Sequence, residues 1–446
     1  MPLRTLGTIA LALLLCAAPA TAQQTAADSL PLSLREALDI GLQRNPQVLT
    51  AVYNRSAAGA GLWDAWGNFL PRVSLSGQVQ RVDQGTFVLF GREFESPQSY
   101  NTGYAWDVTH SLLDSGRDLL RLRGARANVD RAIAGYDLQA LQTATQIETR
   151  YLEARRQQAL VEQARVEVER RRTQLDRAQA RFDVGSVTRS DVLLARLDLN
   201  RAEVSVLQSL QGLEEARLRL RQLLGGALPD RPLALTTSFQ VFAPSFDLEQ
   251  LVARALRDHP GIRQTRAQQS ADAAQLWIAR SAYLPSLQLQ YSVQRTAADT
   301  LDFVFSDFAE QSYVGVALNW QMFGGFQRYN QTSQANAALQ SSRAEELSRE
   351  LQVESDVRTA HSRLMTAYAS HQAARLSVEL AAEDLRLGEA RYQTGTGSLI
   401  DLVDARARSS QAEIDLISAT YDFYLALVQL ELATGLNLLP HEVDQP

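Results

Sequence analysis

The chain of 446 residues contains a long internal repeat, and this duplication limits the folds open to it. The segment from Leu34 to Arg81 reappears from Leu248 to Arg295 without a gap, at an offset of 214 residues (248 − 34). The match resumes at an offset of 210 residues (392 − 182), where Phe182 corresponds to Tyr392. Because this repeat far exceeds the roughly 20–50 residues of solenoid repeats, the sequence predicts a duplicated half-protein with pseudo-symmetry.

The first residues have the features of a secretory signal. Arg4 precedes an apolar run over residues 6–18, and small residues follow it up to Ala22. This pattern predicts a signal peptide over residues 1–22, because the apolar run is shorter than the ~18 residues of a membrane span. A short transmembrane anchor and lipidation of Cys16 are the alternatives. Since Cys16 is the single cysteine and would leave with the signal, the exported chain would contain no disulfide.

Proline spacing outlines two long helical stretches. No proline occurs between Pro97 and Pro229 or between Pro285 and Pro440, and both stretches are rich in strong helix formers. Seven-residue spacing relates the seam residues Ile147, Ala154, Val161, Val168, Leu175 and Phe182, and likewise Val357, Leu364, His371, Val378, Leu385 and Tyr392. Large and small residues alternate along the seams of the return helices. The period predicts two long coiled-coil helices in each half.

Glycine marks the turn between the two long helices of each half. Gly185 and Gly395 stand at these turns, where glycine accepts the left-handed conformation that ends a helix. The residues near the next helix start are Ser190 and Asp191 in the first half and Ser398 and Asp401 in the second. Capping of the helix by the aspartates is one interpretation of this pattern.

Alternating residues between the helical parts predict strands. Apolar and polar side chains alternate from Val73 to Val79 and from Leu287 to Val293, and the segments around Trp106 and Val316 predict a second strand in each half. This period is typical of membrane barrels, with an ordinary sandwich as the alternative. An interfacial girdle is predicted from aromatic residues near the loops, namely Phe87, Phe90, Phe94, Phe303, Phe305 and Phe308.

Four strands per chain are too few for a membrane barrel. A sheet in lipid cannot leave unpaired edges, and transmembrane barrels have at least ~8 strands. The barrel must therefore be shared between chains. Two chains would give eight strands and a lumen filled by side chains, whereas three would give twelve strands and room for water. Polar inward faces favour the wider barrel.

These segments together resemble the TolC-like outer-membrane efflux proteins. The resemblance covers nearly the whole exported chain and includes the paired FLP and YLP segments, the LLDSG and MFGGF segments, and the turns RFDVGSVTRSDVLLAR and RYQTGTGSLIDLVDAR. It implies a mainly α protein with membrane β structure. Long antiparallel coiled-coil helices would form a periplasmic α-barrel, and a homotrimer would share a twelve-stranded transmembrane β-barrel in outer-membrane lipid. It also implies a passive duct, fed by an inner-membrane pump through a periplasmic adaptor.

The resemblance assigns a gate to the periplasmic end. Asp401 and Asp404 match the acidic pair that rings the constriction, while Asp191, Ser190 and Tyr392 match positions that hold the closed state. Gly397 is a departure, because some members carry a basic residue there that locks the gate. Pairing of Asp404 with Arg406 or Arg408 is the simpler interpretation. The hairpin tips that would contact the adaptor comprise Gly185, Gly395, Val187 and Leu399.

The sequence offers no enzymatic motif. The five histidines have no metal-ligand spacing, and phosphate loops and nucleophile elbows are absent. We therefore predict no catalytic residue, no metal site and no cofactor, and the lack of basic blocks argues against nucleic acid. The rival function is a periplasmic coiled-coil scaffold without a pore. The predicted organisation is a signal peptide over 1–22, a first repeat over 23–224, a linker over 225–245, a second repeat over 246–436 and a tail over 437–446.

Overall fold

The computed structural model of the protein describes residues 30–82, 85–95, 99–226, 231–298 and 308–438. The predicted signal peptide, Phe303, Phe305 and most of the predicted C-terminal tail lie outside this part of the chain. Within these ranges, no helix has both the length and the apolar character required to cross a membrane.

Two similar series of elements follow one another along the chain. The first comprises β1 (Leu30–Leu32), α1 (Leu34–Arg44), α2 (Pro46–Gly67), β2 (Arg72–Val82), β3 (Thr86–Leu89), β4 (Arg92–Glu95), β5 (Ser99–Leu113), α3 (Arg117–Asp183) and α4 (Arg189–Leu223). The second comprises β6 (Leu233–Leu235), α5 (Leu248–Asp258), α6 (Pro260–Ser281), β7 (Ser286–Ala298), β8 (Ala309–Asn319), α7 (Gln327–Gln393) and α8 (Leu399–Thr434). The starts of α1, α2 and α3 precede those of α5, α6 and α7 by the offsets of the sequence copies, which confirms the pseudo-symmetric repeat.

A proline begins the second helix of each short pair. Pro46 and Pro260 are the first residues of α2 and α6, and Asn45 and His259 cap these helices with their side chains. Proline suits this position because an N–H there would have no partner within the helix and because its φ angle is already helical. The chain therefore bends at a defined residue between α1 and α2 and again between α5 and α6.

The long helices lie side by side in one layer. α3 and α7 have 67 residues each, which corresponds to roughly 100 Å at ~1.5 Å per residue. Along the later halves of α3 and α7, the helices lie in the order α4, α3, α8 and α7, each packed on the next. Along the earlier halves of α3 and α7, the order is α2, α3, α6 and α7. The lateral edges of the layer are consequently α4 and α2 on one side and α7 on the other.

The predicted heptad residues form the seams between these helices. Ile147 and Leu364 are fully buried, and the small residues Ala195 and Ala405 of the return helices are buried as well. The seam opens toward the hairpin ends, where Phe182 is exposed. The predicted coiled-coil packing is confirmed.

The core lies where the two repeats meet. β1 and β6 pair in parallel, with Leu32 opposite Leu235. The Tyr151 hydroxyl of α3 donates a hydrogen bond to the Leu32 carbonyl at 2.8 Å. Phe239, from the predicted linker, packs on Tyr151 and on Tyr424 of α8, with ring centroids 6.4 and 4.8 Å away. The segment after β6 therefore contacts both repeats.

The strands β2, β5, β7 and β8 form one antiparallel sheet in that order. All four strands predicted from the alternation are present. The small hairpin of β3 and β4 was not predicted. In the part of the chain that the structure describes, β2 and β8 each have a single neighbour and form the two edges of the sheet.

The two faces of the sheet differ in chemistry. One face carries exposed apolar side chains, namely Val73, Leu75, Val79, Trp106, Tyr291, Val314, Val316 and Leu318. The register places them in adjacent rows, with Leu75 opposite Trp106 and Tyr291 opposite Val314. Serine, glutamine and other polar or small residues occupy the alternate positions. This pattern is that of barrel strands with one face toward lipid and the other toward water.

Candidate functional site

The turns of the two long hairpins have the same backbone geometry. Gly185 and Gly395 have φ angles of 74° and 75°, in the left-handed region that favours glycine. The Ser186 N–H donates to the Arg181 carbonyl at 2.8 Å, and the Thr396 N–H donates to the Arg391 carbonyl at 3.0 Å. These bonds satisfy the last carbonyls of α3 and α7 in the way of a Schellman motif, as the glycine positions predict.

Capping boxes begin both return helices. The Thr188 N–H and hydroxyl donate to Asp191 Oδ2 at 2.8 and 2.9 Å, and the Ser398 N–H donates to Asp401 Oδ2 at 3.3 Å. Asp191 and Asp401 therefore both stabilise a helix start. Ser190 is the second residue of α4, and the cap before it is Thr188, which the sequence analysis missed. The Thr-x-x-Asp spacing from Thr188 to Asp191 is the signal that identifies it.

A cleft of about 560 Å³ lies between the two hairpins near their turns. It brings together four of the predicted site residues, namely Val187, Asp191, Tyr392 and Leu399. Ser190, Asp401, Asp404, Gly185 and Gly395 do not line it. The structure thus divides the predicted residues into those within the cleft and those outside it.

Charged side chains connect the two hairpins along this cleft. Arg170 of α3 donates to Glu413 of α8 with Nη1 and Nη2 at 2.9 and 3.1 Å. Gln163 also donates to the Glu413 carboxylate. The hydrogen bond to Glu413 raises the pKa of Arg170, so the guanidinium stays charged. Arg170 and Glu413 are 243 residues apart, and no local sequence pattern predicts their contact.

The two aspartates assigned to the gate share an exposed face of α8. Asp401 and Asp404 are exposed, and both charges contribute to the raised pKa of Arg408, whose main cause is its hydrogen bond to Asp384. Arg408 bonds Asp384 at 2.8 Å, and Arg406 bonds Glu389 at 3.3 Å. Asp404 itself has no hydrogen bond or ion pair with the described residues. Neither Arg406 nor Arg408 forms a close ion pair with Asp404 in the described residues, although the Asp404 charge still acts on Arg408.

Gly397 occupies a turn that excludes a side chain. A Cβ atom at this position would lie 2.9 Å from the Arg391 Cβ and 3.3 Å from the Arg391 carbonyl carbon. The Gly397 N–H also donates to the Arg391 carbonyl at 3.0 Å. Any larger side chain at this position would therefore displace this turn.

Aromatic residues surround the junction of sheet and helices. The exposed members of this junction belt are Trp63, Trp66, Phe69, Trp277, Tyr283, Trp320, Phe323 and Phe326. The Arg280 guanidinium lies 5.0 Å from the Trp277 ring centre, and Trp320 Nε1 donates to the Tyr283 carbonyl at 3.2 Å. The predicted girdle was placed at the opposite end of the strands, where Phe90 is exposed and Phe308 is buried.

The described residues contain no group of three His, Cys, Asp or Glu side chains arranged to hold a metal ion. Two histidine Nδ1 atoms, of His110 and His371, are buried without a hydrogen-bond partner in the described residues. Burial lowers the pKa of His371, and the charge of Arg375 lowers it further. Each of these histidines stands apart from the cleft.

Comparison with protein families gives a match over both repeats. Residues 37–226 and 251–436 match the family described as outer membrane efflux protein. The protein CyaE of Bordetella pertussis is 27% identical over 405 residues, which cover 90% of this chain and 81% of that protein. The outer membrane protein TolC of Escherichia coli K12 is 23% identical over 401 residues, which cover 88% of this chain and 80% of TolC.

A solved structure has the same fold. The Campylobacter jejuni CmeC outer membrane channel superposes with a TM-score of 0.76 at 17% identity. The match covers 90% of this chain and 85% of that one. At this level of identity the similarity concerns the fold alone, which combines long helices with a small sheet.

Proposed function

The chain belongs to the outer membrane efflux protein family, and we propose that it is the export duct of a tripartite efflux or type I secretion system. It is an outer-membrane channel protein that extends into the periplasm. Its family and fold are those of channels rather than enzymes. The proposal adds the coupling: an inner-membrane transporter feeds the duct through a periplasmic adaptor.

The open edges of the sheet are the observation that most supports a shared barrel. β2 and β8 have 11 residues each, the length of a transmembrane strand, and neither has an outer neighbour in the described residues. In lipid these edges must pair with other strands. β8 of one copy is antiparallel to β2 of the next when copies are arranged in a ring. Three copies give twelve strands and a passage wide enough for water.

The helical layer also has two unfilled edges on the same protomer. Large apolar side chains are exposed on α4 at Leu193, Leu197, Val204, Leu207 and Leu218 and on α7 at Leu347, Leu351, Leu376, Leu380 and Leu387. These helices are the outer members of the layer, on opposite sides. Exposed apolar stripes of this kind mark contact surfaces. They support packing of α4 against the later half of α7 of the next copy and of α2 against its earlier half, which closes the α-barrel with the same homotrimer.

The sheet and the aromatic belt support one orientation of the chain relative to the bilayer. The exposed apolar face of the sheet suits lipid, and the junction belt suits the membrane–water interface, where Trp and Tyr are enriched. With the belt at the periplasmic leaflet, the long helices extend away from the membrane. The hairpin turns then lie farthest from it, toward the inner membrane.

The gate and adaptor residues keep their proposed roles. We propose Asp401 and Asp404 as the constriction ring, and Asp191, Ser190 and Tyr392 as residues of the closed state. Gly185, Gly395, Val187 and Leu399 are proposed to contact the adaptor. The domain boundaries at 22, 224, 245 and 436 belong to the same proposal. The cleft supports it, since Asp191 and Tyr392, from different hairpins, both line it.

Cell fractionation and cross-linking test this function against the scaffold. We expect the protein in the outer-membrane fraction, released only by detergent, with cross-links to an adaptor that require the hairpin turns. A variant lacking residues 184–187 and 394–397 should stay in the outer membrane and lose those cross-links. Release of the wild-type protein with the periplasmic extract would establish the scaffold instead.

A further inference from the structure

The water-facing side of the sheet is almost free of charge. Its described side chains along β2, β5, β7 and β8 are small or polar, as at Ser74, Gln78, Thr109, Gln290 and Gln311. Two charged residues share this face among the described strand positions. Arg72 is the first residue of β2, whereas Asp107 lies at mid-strand in β5.

Asp107 is held at the centre of the sheet. The register places Ser74, Asp107, Ser292 and Tyr313 in one row across the four strands. The Ser292 hydroxyl donates to Asp107 Oδ1 at 2.7 Å, and Ser292 is buried. Asp107 has no ion pair in the described residues. The carboxylate therefore has a fixed place without an ion pair, and Arg72 is the nearest described charge on the same face.

The neighbouring charged strand residues lie on the other face. Arg295 and Glu310 pair with each other, and they occupy the alternate, lipid-side register near the loop end of the strands. They consequently cannot neutralise Asp107 across the sheet. Arg72 lies on the adjacent row, opposite Thr109, and has no ion pair in the described residues.

We propose that Asp107 sets the charge selectivity of the β-domain passage, favouring cationic and neutral solutes over anionic ones. This rests on the proposed function, because three copies would place three carboxylates at one level of the barrel wall. A fixed ring of carboxylates attracts cations and repels anions within a pore. The substrate class that suits this wall is a cationic or uncharged solute.

The size of the passage determines the conditions of the test. A twelve-stranded barrel is wide, and the field of a wall charge extends about 10 Å at 0.1 M salt but about 30 Å at 0.01 M. The selectivity due to Asp107 is therefore strong at low ionic strength and screened at about 1 M salt.

The test is the reversal potential of reconstituted channels in a dilute KCl gradient. Asp107→Asn should lower the ratio of cation to anion permeability about twofold or more, with the effect vanishing at high salt. Ser292→Ala, which keeps the charge, should retain most of the selectivity. Arg72→Gln, the matched control on the same face, should shift the ratio in the opposite direction.

A second set of measurements, in a variant with altered gate residues, separates the effect of Asp107 on selectivity from that of the proposed gate. The same substitution in the Asp401→Asn, Asp404→Asn double variant should give a shift of the same sign. If wild-type channels conduct and Asp107→Asn leaves the reversal potential unchanged in both backgrounds, the inference about Asp107 is wrong. If the wild-type protein forms no channels, the proposed function itself fails.

Discussion

Asn45 and His259 occupy equivalent joints in the two repeats and make equivalent pairs of hydrogen bonds. Asn45 Oδ1 accepts from the Gln47 N–H at 2.8 Å, and its Nδ2 donates to the Leu223 carbonyl at 3.0 Å. His259 Nδ1 accepts from the Gly261 N–H at 3.1 Å, and Nε2 lies 3.4 Å from the Leu432 carbonyl. Each residue thus caps one helix and binds the end of the return helix in its own repeat. Only the histidine can gain a proton.

The joint at His259 should weaken in acid. Burial lowers the pKa of His259 from 6.5; the Leu432 carbonyl and Asp356 oppose this shift, whereas Arg349 adds to it. A proton on Nδ1 would abolish the cap of α6, because that nitrogen could no longer accept. Since the unfolded chain binds this proton more readily, stability is complete above about pH 6.5 and falls as the pH drops below it.

Replacement of His259 by Asn tests this joint. His259→Asn should remove the acid-dependent loss, which we expect to be about 1 kcal/mol, the value of a helix cap. Thermal unfolding of the detergent-solubilised protein between about pH 5 and 8 measures it. Asn45→His is the matched control and should introduce an acid-dependent loss in the first repeat. Identical pH profiles for wild type and His259→Asn would refute the assignment.

A buried carboxyl pair predicts the opposite pH dependence. Glu148 of α3 and Glu431 of α8 are 7% and 4% exposed, and Glu431 also accepts from the Leu438 N–H. Burial and then the charge of Glu431 raise the pKa of Glu148 from 4.5 to about 8. The folded chain therefore holds a proton that the unfolded chain loses. Its stabilisation is complete below about pH 4.5 and is lost as the pH rises toward 8.

Glu148→Gln should be more stable than the wild type above about pH 8 and similar to it near pH 5. The amide is neutral at every pH and keeps the shape of the protonated carboxyl group. Glu153→Gln serves as the control on the same helix, because Glu153 is partly exposed and bonds Arg150 at 2.7 Å. A difference in melting temperature between Glu148→Gln and wild type that stays constant from about pH 5 to 9 would show that the pair is not protonated.

The proposed constriction predicts a change in conduction. Replacing Asp401 and Asp404 by Ala should raise single-channel conductance about twofold or more, or abolish block by multivalent cations. Asp404→Asn is the sharper single change, because Asp401 also caps α8. Asp183→Asn, at the end of the other hairpin, should leave both properties unchanged. Unaltered conductance and block in the double Ala variant would remove these aspartates from the gate.

The two hairpin turns should respond differently to exchange of their residues. Val187 and Gly397 are equivalent positions, but the Gly397 N–H donates to the Arg391 carbonyl, and a Cβ atom at Gly397 would lie 2.9 Å from the Arg391 Cβ. Gly397→Val should therefore disrupt the second turn, with a cost of about 1–3 kcal/mol. Faster hydrogen exchange of the backbone amides at positions 396 and 397 would report it. The reverse change, Val187→Gly, should leave exchange at Ser186 nearly as slow as in the wild type.

Sequence patterns predicted the elements of this fold better than their arrangement. The seven-residue spacing through Ile147 and the two-residue spacing through Leu75 are local properties, so they identified helices and strands directly. The lateral order of α4, α3, α8 and α7 depends on contacts between residues far apart, such as Arg170 and Glu413. No local periodicity encodes such contacts. The helix caps are an intermediate case. The Thr-x-x-Asp spacing of Thr188 is local and therefore predictable, but the structure is needed to show which hydroxyl caps α4.

The site residues were predicted by resemblance, and the structure adds their surroundings. Gly185 and Gly395 were predicted from the left-handed conformation that a helix end requires, and both have positive φ angles. The proximity of Asp191 and Tyr392 could not be derived from either hairpin by itself. It requires the packing of α3 on α8, which brings the two repeats together.

Single-channel recording in a planar bilayer, with the mass in detergent measured on the same sample, tests the central claim most directly. The account predicts a trimer that opens water-filled, cation-selective channels. Three chains supply the twelve strands that close the edges of β2 and β8. A monomer that stays soluble without detergent and never conducts would contradict the duct and favour the coiled-coil scaffold.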